Sequence, residues 1–364
     1  MRIGIDVSSL VYGTGVSDYT EGLVSSLITE FPSQDYVLYG ASLRQYFRLF
    51  KRTQRAVSGN KAEFKLYPFP PKLQKRLFNS LHLPVERFTG RLDIFHSWDW
   101  YTPATKNAKL VTTIHDLSAL KFPKSTHPEI VRNHKAALEW VKQEAKAVIA
   151  VSEATKRDVV ELLSIPERRV HVVHEALPVR SKIKVAKSKK DKVLEKYKIN
   201  KPYFMAVASQ EPRKNLKRTI EAYMKYKKDF QMVLVGKSGF ERLDDNEGVV
   251  KTGYVTDGEL AALYSGSSCL LYPSLYEGFG LPILEAFYHR IPVVTSNISS
   301  MPEVAGKAAV LVDPKSVISI ERGIGLALKD KKQLVMAGTN RLKEFSWEKV
   351  ARETMKVYKS VLSE

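Results

Sequence analysis

The 364-residue sequence contains one cysteine, Cys269. A single cysteine excludes an intrachain disulfide and a metal centre built from several thiolates. No run of about 18 apolar residues is present, so the sequence predicts no membrane-spanning helix. The N-terminal stretch reads as a strand and a glycine turn rather than a signal peptide, because its apolar run is short and broken by Asp6. We therefore expect a cytoplasmic protein.

Acidic residues are scarce relative to basic ones, and the 58 Lys and Arg against 39 Asp and Glu give a net charge of +19. The basic residues are concentrated in two stretches. Residues 44–91 hold twelve Lys and Arg against two acids, interleaved with apolar residues, and residues 180–198 hold nine against two. Such stretches indicate an anionic partner, namely membrane lipid, nucleic acid or a phosphorylated substrate.

The length and an apolar content of 44 % predict two domains. Short β-rich runs, several of them almost continuous in Val, Ile and Leu, alternate with helical patterns. This alternation predicts two α/β domains with doubly wound parallel sheets and a cleft between them. We assign residues 1–180 to the first domain and 195–346 to the second, with the lysine-rich stretch 181–192 as a linker. Residues 347–364 predict an amphipathic helix.

The stretch SLYEGFGLPILEAF, residues 274–287, places two carboxylates beside a glycine turn and a helix start. It follows a predicted buried strand, and ligands of open α/β sheets bind outside the carboxyl ends of strands. A helix N-terminus near Leu281 offers N–H groups to phosphate, and Gly278 and Gly280 allow close approach to the backbone. Glu285 is then suited to a ribose diol and Glu277 to a sugar. The alternative is a dipole-stabilised helix acid and a solvated loop residue.

A second cluster is SQEPRKN, residues 209–215, which also follows a predicted strand. Arg213 and Lys214 would stand at the same cleft and neutralise a diphosphate. The alternative is a solvated basic helix start. The loop Gly253, Tyr254 and Val255 is suited to contacting a nucleobase through its backbone.

In the first half, His115 and Asp116 end a predicted strand and face the expected cleft, although a lone histidine is often structural. Gly13 and Gly15 follow the first strand and precede a helix, so their N–H groups are candidates for contact with phosphate or an acceptor. Asp18 stands where a dinucleotide fingerprint needs its third glycine, which argues against a nicotinamide site.

Taken together, these motifs resemble glycosyltransferase family 4, whose retaining enzymes have the two-Rossmann GT-B architecture. The resemblance spans nearly the whole chain. It rests on the Glu–seven residues–Glu pattern from Glu277 to Glu285 and on EPRKN, IHDLSALKFP, VSEAT and GTGVSDYT, in the family's order. The motifs HDLSALKFP and PRKN are similar to those of the bacterial mannosyltransferase branch.

The resemblance implies roles for the matching residues. Glu285 would bind the ribose, Glu277 the hydroxyls of the donor sugar, and His115 the sugar near its reacting carbon. Arg213 and Lys214 would hold the diphosphate. The backbone of Gly278, Phe279, Gly280 and Leu281 would assist them, and Asp116 would lie on the acceptor side. Many family members carry Gly-Arg where this chain has Ala208-Ser209, and Arg213 would supply that charge.

The family further implies that the C-terminal helix crosses back to the first domain and that catalysis needs neither metal nor cofactor. No Asp-x-Asp motif is present, in agreement with the second point. The expected reaction moves a hexose, with mannose favoured, from a nucleotide-diphosphate sugar to a glycan or lipid-linked hydroxyl with retention. Residues 44–91 would then lie on an anionic membrane surface, making the protein peripheral on the inner face.

Three other functions are alternatives to this one. A nucleotide-sugar epimerase or a phosphorylase would use the same architecture, but no lysine motif for pyridoxal phosphate is evident. A nucleic-acid-binding protein would account for the charge. No recognised nucleic-acid module is found, so no nucleic-acid partner is expected.

Overall fold

The computed structural model describes residues 1–98, 101–239 and 241–363, and position 364 of the predicted C-terminal helix therefore lies outside the described residues. The chain forms two compact units. The first comprises Met1–Ala176 and Phe345–Glu364, and the second comprises Leu177–Glu344. Each unit contains one parallel sheet with helices, so the prediction of two doubly wound α/β domains is confirmed.

The first unit is built on a seven-stranded sheet with the order β3-β2-β1-β4-β5-β6-β7. Every pairing is parallel. Its strands are β1 (Arg2–Asp6), β2 (Asp35–Ala41), β3 (Glu63–Tyr67), β4 (Ile94–Trp98), β5 (Lys109–Ile114), β6 (Ala147–Ala150) and β7 (Val170–Val172). Its first helices are α1 (Gly15–Glu30), α2 (Tyr46–Val57), α3 (Pro71–Gln74), α4 (Glu86–Thr89), α5 (Ser118–Lys121), α6 (Pro128–Glu144) and α7 (Glu153–Leu163).

The second unit has a six-stranded sheet with the order β10-β9-β8-β11-β12-β13, again wholly parallel. The strands are β8 (Tyr203–Val207), β9 (Gln231–Val235), β10 (Val249–Gly253), β11 (Cys269–Tyr272), β12 (Val293–Ser296) and β13 (Val310–Val312). The helices are α8 (Lys187–Lys196), α9 (Leu216–Tyr223), α10 (Asp257–Gly266), α11 (Leu281–Tyr288), α12 (Met301–Ala305), α13 (Val317–Lys329) and α14 (Lys331–Leu342). Strands β8, β11 and β12 are almost entirely buried, because helices cover both faces of the sheet.

The last helix, α15 (Trp347–Ser363), belongs to the first unit, so the predicted return of the C-terminal helix is confirmed. Its apolar face packs into the core that contains Ile3 and Ile5 of β1. The packing against α1 is close, since a Cβ added to Gly22 would lie 2.2 Å from the Trp347 ring. The Tyr358 hydroxyl also contacts Nδ1 of the buried His96 at 2.6 Å.

The boundary between the units differs from the one we predicted. It falls after Ala176, and residues 181–192 are part of the second unit rather than a linker. A 3-10 turn covers Val179–Lys182, and α8 follows it. Although the stretch is rich in lysine, α8 packs against α10, and Val193 of α8 is buried.

Candidate functional site

The candidate site lies at the centre of the second unit's sheet, where β8 and β11 are neighbours. The chain leaves these two strands towards opposite edges of the sheet, and such a switch point is where open α/β sheets bind ligands. The loop after β8 carries Arg213 and the loop after β11 carries Glu277. The two loops are joined directly, since the N–H of Leu275 donates to the carbonyl of Arg213 at 2.7 Å.

Glu277 is 6 % exposed and is bonded to both predicted cations. Arg213 Nη1 donates to its Oε2 at 3.0 Å, and Lys214 Nζ lies 2.8 and 2.7 Å from the two carboxylate oxygens. Lys214 Nζ also lies 5.8 Å from the centroid of the Tyr272 ring. Arg213 also donates through Nε to Glu211 at 2.9 Å. Glu277, Arg213 and Lys214 therefore meet in one buried cluster, whereas Glu285 has other partners.

Burial and the charges within this cluster shift the pKa values of its side chains. Burial acts to raise the pKa of Glu277, but the nearby charges of Lys214 and Arg213 lower it to about 2. Burial lowers the pKa of Lys214, although Glu277 opposes that effect. Burial and the charge of Glu277 raise the pKa of Tyr272, so its hydroxyl stays protonated. Glu277 is thus an anion between two cations at neutral pH.

The glycine turn after Glu277 is fixed by serine side chains. Ser300 Oγ donates to the carbonyl oxygens of Glu277 at 3.0 Å and of Phe279 at 2.6 Å. Gly280 has φ = +120°, a backbone conformation that side chains rarely adopt, and it directly precedes α11. The predicted glycine-to-helix transition is therefore present, and the first helical residues are Leu281 and Pro282.

The backbone on the other side of the cluster is set by Asn215, which has φ = +59° and is buried. Its Nδ2 donates to the carbonyls of Pro273 at 2.9 Å and Pro314 at 2.6 Å. Asn215 therefore ties the loop after β8 to the loops after β11 and β13.

Glu285 is the fifth residue of α11 and is 2 % exposed. Ser181 Oγ donates to its Oε1 at 2.7 Å, the Tyr264 hydroxyl donates to its Oε2 at 2.9 Å, and Arg180 Nη2 lies 3.2 Å from Oε1. These three partners were not predicted. Arg180 and Ser181 fell at the edge of the presumed linker, and Tyr264 reads as an ordinary core residue of α10.

The loop predicted to contact a nucleobase lies at the end of the edge strand β10. Tyr254 is 70 % exposed, and Lys237 Nζ stands 5.6 Å from its ring centroid. Val255 is buried, and the Gly253 carbonyl accepts from the N–H of Gly236 at 3.1 Å. Of these three residues, Tyr254 presents its side chain to solvent.

The remaining predicted residues belong to the first unit. Gly13 has φ = +70°, but its N–H donates to Ser17 Oγ at 2.9 Å and is thus engaged within the loop. Gly15 is the first residue of α1. Asp116 Oδ1 accepts from the N–H of Ser118 at 2.7 Å, at the start of α5.

His115 follows β5 and is paired with a carboxylate that the sequence did not reveal. Its Nδ1 lies 2.8 Å from Oε1 of Glu175, the residue that follows β7 by three positions. The Tyr19 ring packs edge-on against the imidazole with centroids 4.7 Å apart. Nothing in the local sequence of Glu175 links it to a histidine 60 residues away.

Within residues 1–98, 101–239 and 241–363, no group of three or more His, Cys, Asp or Glu side chains is arranged to hold a metal ion. Over the same residues, the helices are too short or too polar to span a bilayer.

Two family models match consecutive parts of the chain. The model described as Glycosyltransferase Family 4 matches residues 26–179, and the one described as Glycosyl transferases group 1 matches residues 188–344. The O-antigen chain mannosyltransferase B of Escherichia coli is 33 % identical over 287 residues, which cover 73 % of this chain and 74 % of that protein. The chain belongs to glycosyltransferase family 4. The resemblance inferred from the motifs is confirmed, and the chain is a glycosyltransferase.

Other relatives of this family 4 chain carry similar names. The serotype-specific mannosyltransferase WbdA of E. coli is 32 % identical over 228 residues, which cover 57 % of this chain and 28 % of that longer protein. Among solved structures, a glycosyltransferase from Rickettsia africae has a TM-score of 0.68 at 18 % identity and covers 100 % of this chain and 99 % of its own. Anabaena HepE, solved with UDP and glucose, has a TM-score of 0.68 at 16 % identity, covering 99 % and 100 %. These structures share the GT-B fold.

Proposed function

We propose that this glycosyltransferase transfers mannose from GDP-mannose to a hydroxyl of a glycan or lipid-linked acceptor, in the synthesis of a bacterial cell-surface polysaccharide, with retention at the anomeric carbon. The names of its mannosyltransferase relatives support the sugar and the pathway class. The observation that carries the proposal is the buried cluster of Glu277, Arg213 and Lys214 at the switch point between β8 and β11. A diphosphate sugar needs cations and a sugar-binding carboxylate held together, and this cluster supplies both.

In the proposed reaction the bond between the sugar's C1 and the diphosphate oxygen breaks, and a bond from C1 to the acceptor oxygen forms on the same face. The acceptor proton passes to the departing diphosphate. Arg213, Lys214 and the N–H groups from Gly278 to Leu281 stabilise the charge that grows on the diphosphate. The two cationic side chains perform this role without a metal ion. Glu277 accepts hydrogen bonds from hydroxyls of the sugar.

Glu285 is proposed to bind the ribose, and its present contacts set a condition for that role. A carboxylate offers about four acceptor sites. Three donors already approach it, from Ser181, Tyr264 and Arg180. A ribose diol needs two sites, so at least one donor must withdraw. Arg180 is the candidate, because its side chain is 27 % exposed and has the longest of the three contacts.

A donor screen tests the proposal. Thermal unfolding is measured with GDP-, UDP- and ADP-sugars, and we expect GDP-mannose to stabilise the wild type most. Glu285→Ala should abolish that shift. The control Glu221→Ala, at an exposed position of α9 in the same unit, should keep it. A shift retained in Glu285→Ala would contradict the ribose role. Stabilisation by a UDP-sugar alone would mean that the donor is a UDP-sugar and not GDP-mannose.

Transfer is then measured with that donor and an acceptor glycan, and the anomeric proton of the product is observed by NMR. Product with the donor's configuration is expected. An inverted product contradicts the same-face mechanism. Stabilisation without transfer to any hydroxyl acceptor contradicts the proposed activity.

The basic stretch 44–91 is proposed to rest on an anionic membrane surface, where a lipid-linked acceptor is found. Helix α2 presents Phe47, 81 % exposed, and Phe50, 38 % exposed, beside the exposed bases Arg48 and Lys51. Apolar rings flanked by cations are typical of helices that lie in the lipid headgroup layer. The protein would then be cytoplasmic and peripheral on the inner face.

Sedimentation with vesicles containing phosphatidylglycerol tests this surface. The wild type should co-sediment, and added salt should weaken binding because exposed charges are screened. Phe47→Ser should reduce binding, whereas Met336→Ser should not, although Met336 is 65 % exposed in the other unit. Equal binding to neutral vesicles, or no binding at all, contradicts the proposal.

A further inference from the structure

His115 and Glu175 form a nearly buried pair at the carboxyl edge of the first unit's sheet. His115 follows β5, Glu175 follows β7, and β6 lies between the two strands. Nδ1 and Oε1 are 2.8 Å apart, and only 12 % and 6 % of the two side chains are exposed. A charge-assisted hydrogen bond with so little solvent around it is strong enough to hold an imidazole ring in one orientation.

Aromatic side chains restrict the same ring from other directions. Tyr19 of α1 packs edge-on at 4.7 Å between centroids with an interplanar angle of 87°, and Trp98 lies 6.1 Å away. Both aromatic side chains are buried, with exposures of 1 % and 2 %. The ring therefore has little space to turn over and exchange its two nitrogens.

The partner atom selects the position of the proton on the ring. An ionised carboxylate only accepts hydrogen bonds, so the nitrogen that faces Glu175 must carry hydrogen. That nitrogen is Nδ1, and in the neutral ring Nε2 then holds the lone pair. Without such a partner, neutral histidine favours the opposite tautomer, with hydrogen on Nε2.

We propose that Glu175 is a positioning residue that holds His115 as the Nδ1–H tautomer, so that Nε2 accepts a hydrogen bond from a hydroxyl of the transferred sugar. This inference rests on the proposed function, to which it adds the donor-sugar contact that the family resemblance implies for His115. The competing explanation is that the pair only fastens the end of β7 to β5. In that case the proton's position would not matter to the reaction.

Nitrogen-15 NMR of histidine-labelled protein tests the tautomer without any activity measurement. The His115 signals are identified by their absence from His115→Asn. In mildly alkaline buffer the wild type should show a protonated Nδ1 and an unprotonated Nε2, and Glu175→Ala should move the proton to Nε2. A wild-type ring protonated at Nε2, alone or together with Nδ1, overturns the proposal.

A double-mutant cycle tests the effect on transfer. Glu175→Ala should lower kcat about 10- to 100-fold, since a displacement on the order of 1 Å in a reacting group costs about 100-fold. The donor KM should change by less than about threefold, because the proposed diphosphate and ribose contacts are in the second unit. On a His115→Ala background, Glu175→Ala should have no further effect. An equal loss on both backgrounds overturns the proposal.

Two further variants separate positioning from folding. Glu175→Gln keeps an acceptor oxygen, so its kcat should be close to that of the wild type. If Glu175→Gln is as slow as Glu175→Ala, the positioning role is contradicted. Glu144→Ala removes the carboxylate that lies 2.5 Å from His82 in the same unit, so it controls for the loss of a His–Glu pair and should keep wild-type kcat. If the wild type transfers no sugar, the proposed function fails, and the NMR result still decides the tautomer.

Discussion

Removing the negative charge of Glu277 should destabilise the second unit strongly. Glu277→Gln leaves Lys214 and Arg213 close together, each with 13 % of its side chain exposed, and Arg213 keeps its contact with Glu211. Breaking one side of a buried ion pair costs about 3–5 kcal/mol. Because Arg213 keeps Glu211, we expect the lower value, about 3 kcal/mol.

The depressed pKa of Glu277 points in the same direction. Its fall from the ordinary 4.5 to about 2 corresponds to about 3 kcal/mol, at roughly 1.4 kcal/mol for each pH unit. Since the folded-state pKa is depressed, this stabilisation is complete above pH 4.5 and is lost as the pH falls towards 2. The stability difference between the wild type and Glu277→Gln should therefore shrink across that window.

Calorimetry is the suitable assay, because all four tryptophans lie outside Leu177–Glu344 and fluorescence would not report on this unit. For a unit of 150–250 residues, about 3 kcal/mol lowers Tm by roughly 6–12 °C. The control is Glu321→Gln, which breaks the more exposed pair with Lys225 and should cost less than about 1 kcal/mol. Equal losses in the two variants would refute the reasoning, since the Glu277 cluster would then behave as a solvated one.

Three further predictions concern packing, backbone conformation and pH. Gly22→Ala places a Cβ 2.2 Å from the Trp347 ring and should lower the free energy of unfolding by about 1–3 kcal/mol in denaturant titrations. Combined with Trp347→Leu, the total loss should be smaller than the sum of the two single losses. Asn215→Ala should be less stable by calorimetry than Asn215→Gly by about 1 kcal/mol, because both lose the amide contacts but only glycine tolerates φ = +59°. Burial lowers the pKa of His96 from 6.5 to about 3, so the unfolded chain binds the extra proton, and His96 should contribute a loss of about 1.4 kcal/mol per pH unit on acidification through that range. Asp6, whose pKa burial raises to about 6, acts in the opposite direction, so the stability difference between the wild type and His96→Gln, followed by tryptophan fluorescence, should carry the slope.

The parallel sheets and the main cluster of the site were predictable from local sequence. Strands buried on both faces read as continuous apolar runs, and residues directly after them fall on the carboxyl edge of the sheet. This placed Arg213, Lys214 and Glu277 together. The adjacency of β8 and β11 is a property of the strand order, and the sequence pattern did not contain it.

The partners of the predicted residues were not predictable in the same way. Ser181 lies 104 positions from Glu285, and Glu175 lies 60 positions from His115. No periodicity or turn signal connects residues so far apart, because only the folded chain brings them into contact. The prediction that residues 181–192 form a linker differs from the structure for a related reason. Its lysines dominate the composition, whereas the few apolar side chains that fix α8 determine its structure.

The charge balance of the Glu277 cluster constrains how a diphosphate would enter. Arg213 and Lys214 are matched by Glu277 and Glu211, so the four groups together carry no net charge, and a diphosphate must replace one carboxylate. Glu277 is held by Arg213 and Lys214 and is 6 % exposed. Glu211 is held through Ser209 and Arg213 Nε, and a quarter of its side chain is exposed. Water can therefore take up Glu211 at far lower cost than Glu277. If Arg213 binds the diphosphate as proposed, we expect phosphate to replace Glu211 there, while Glu277 stays in place to meet the sugar.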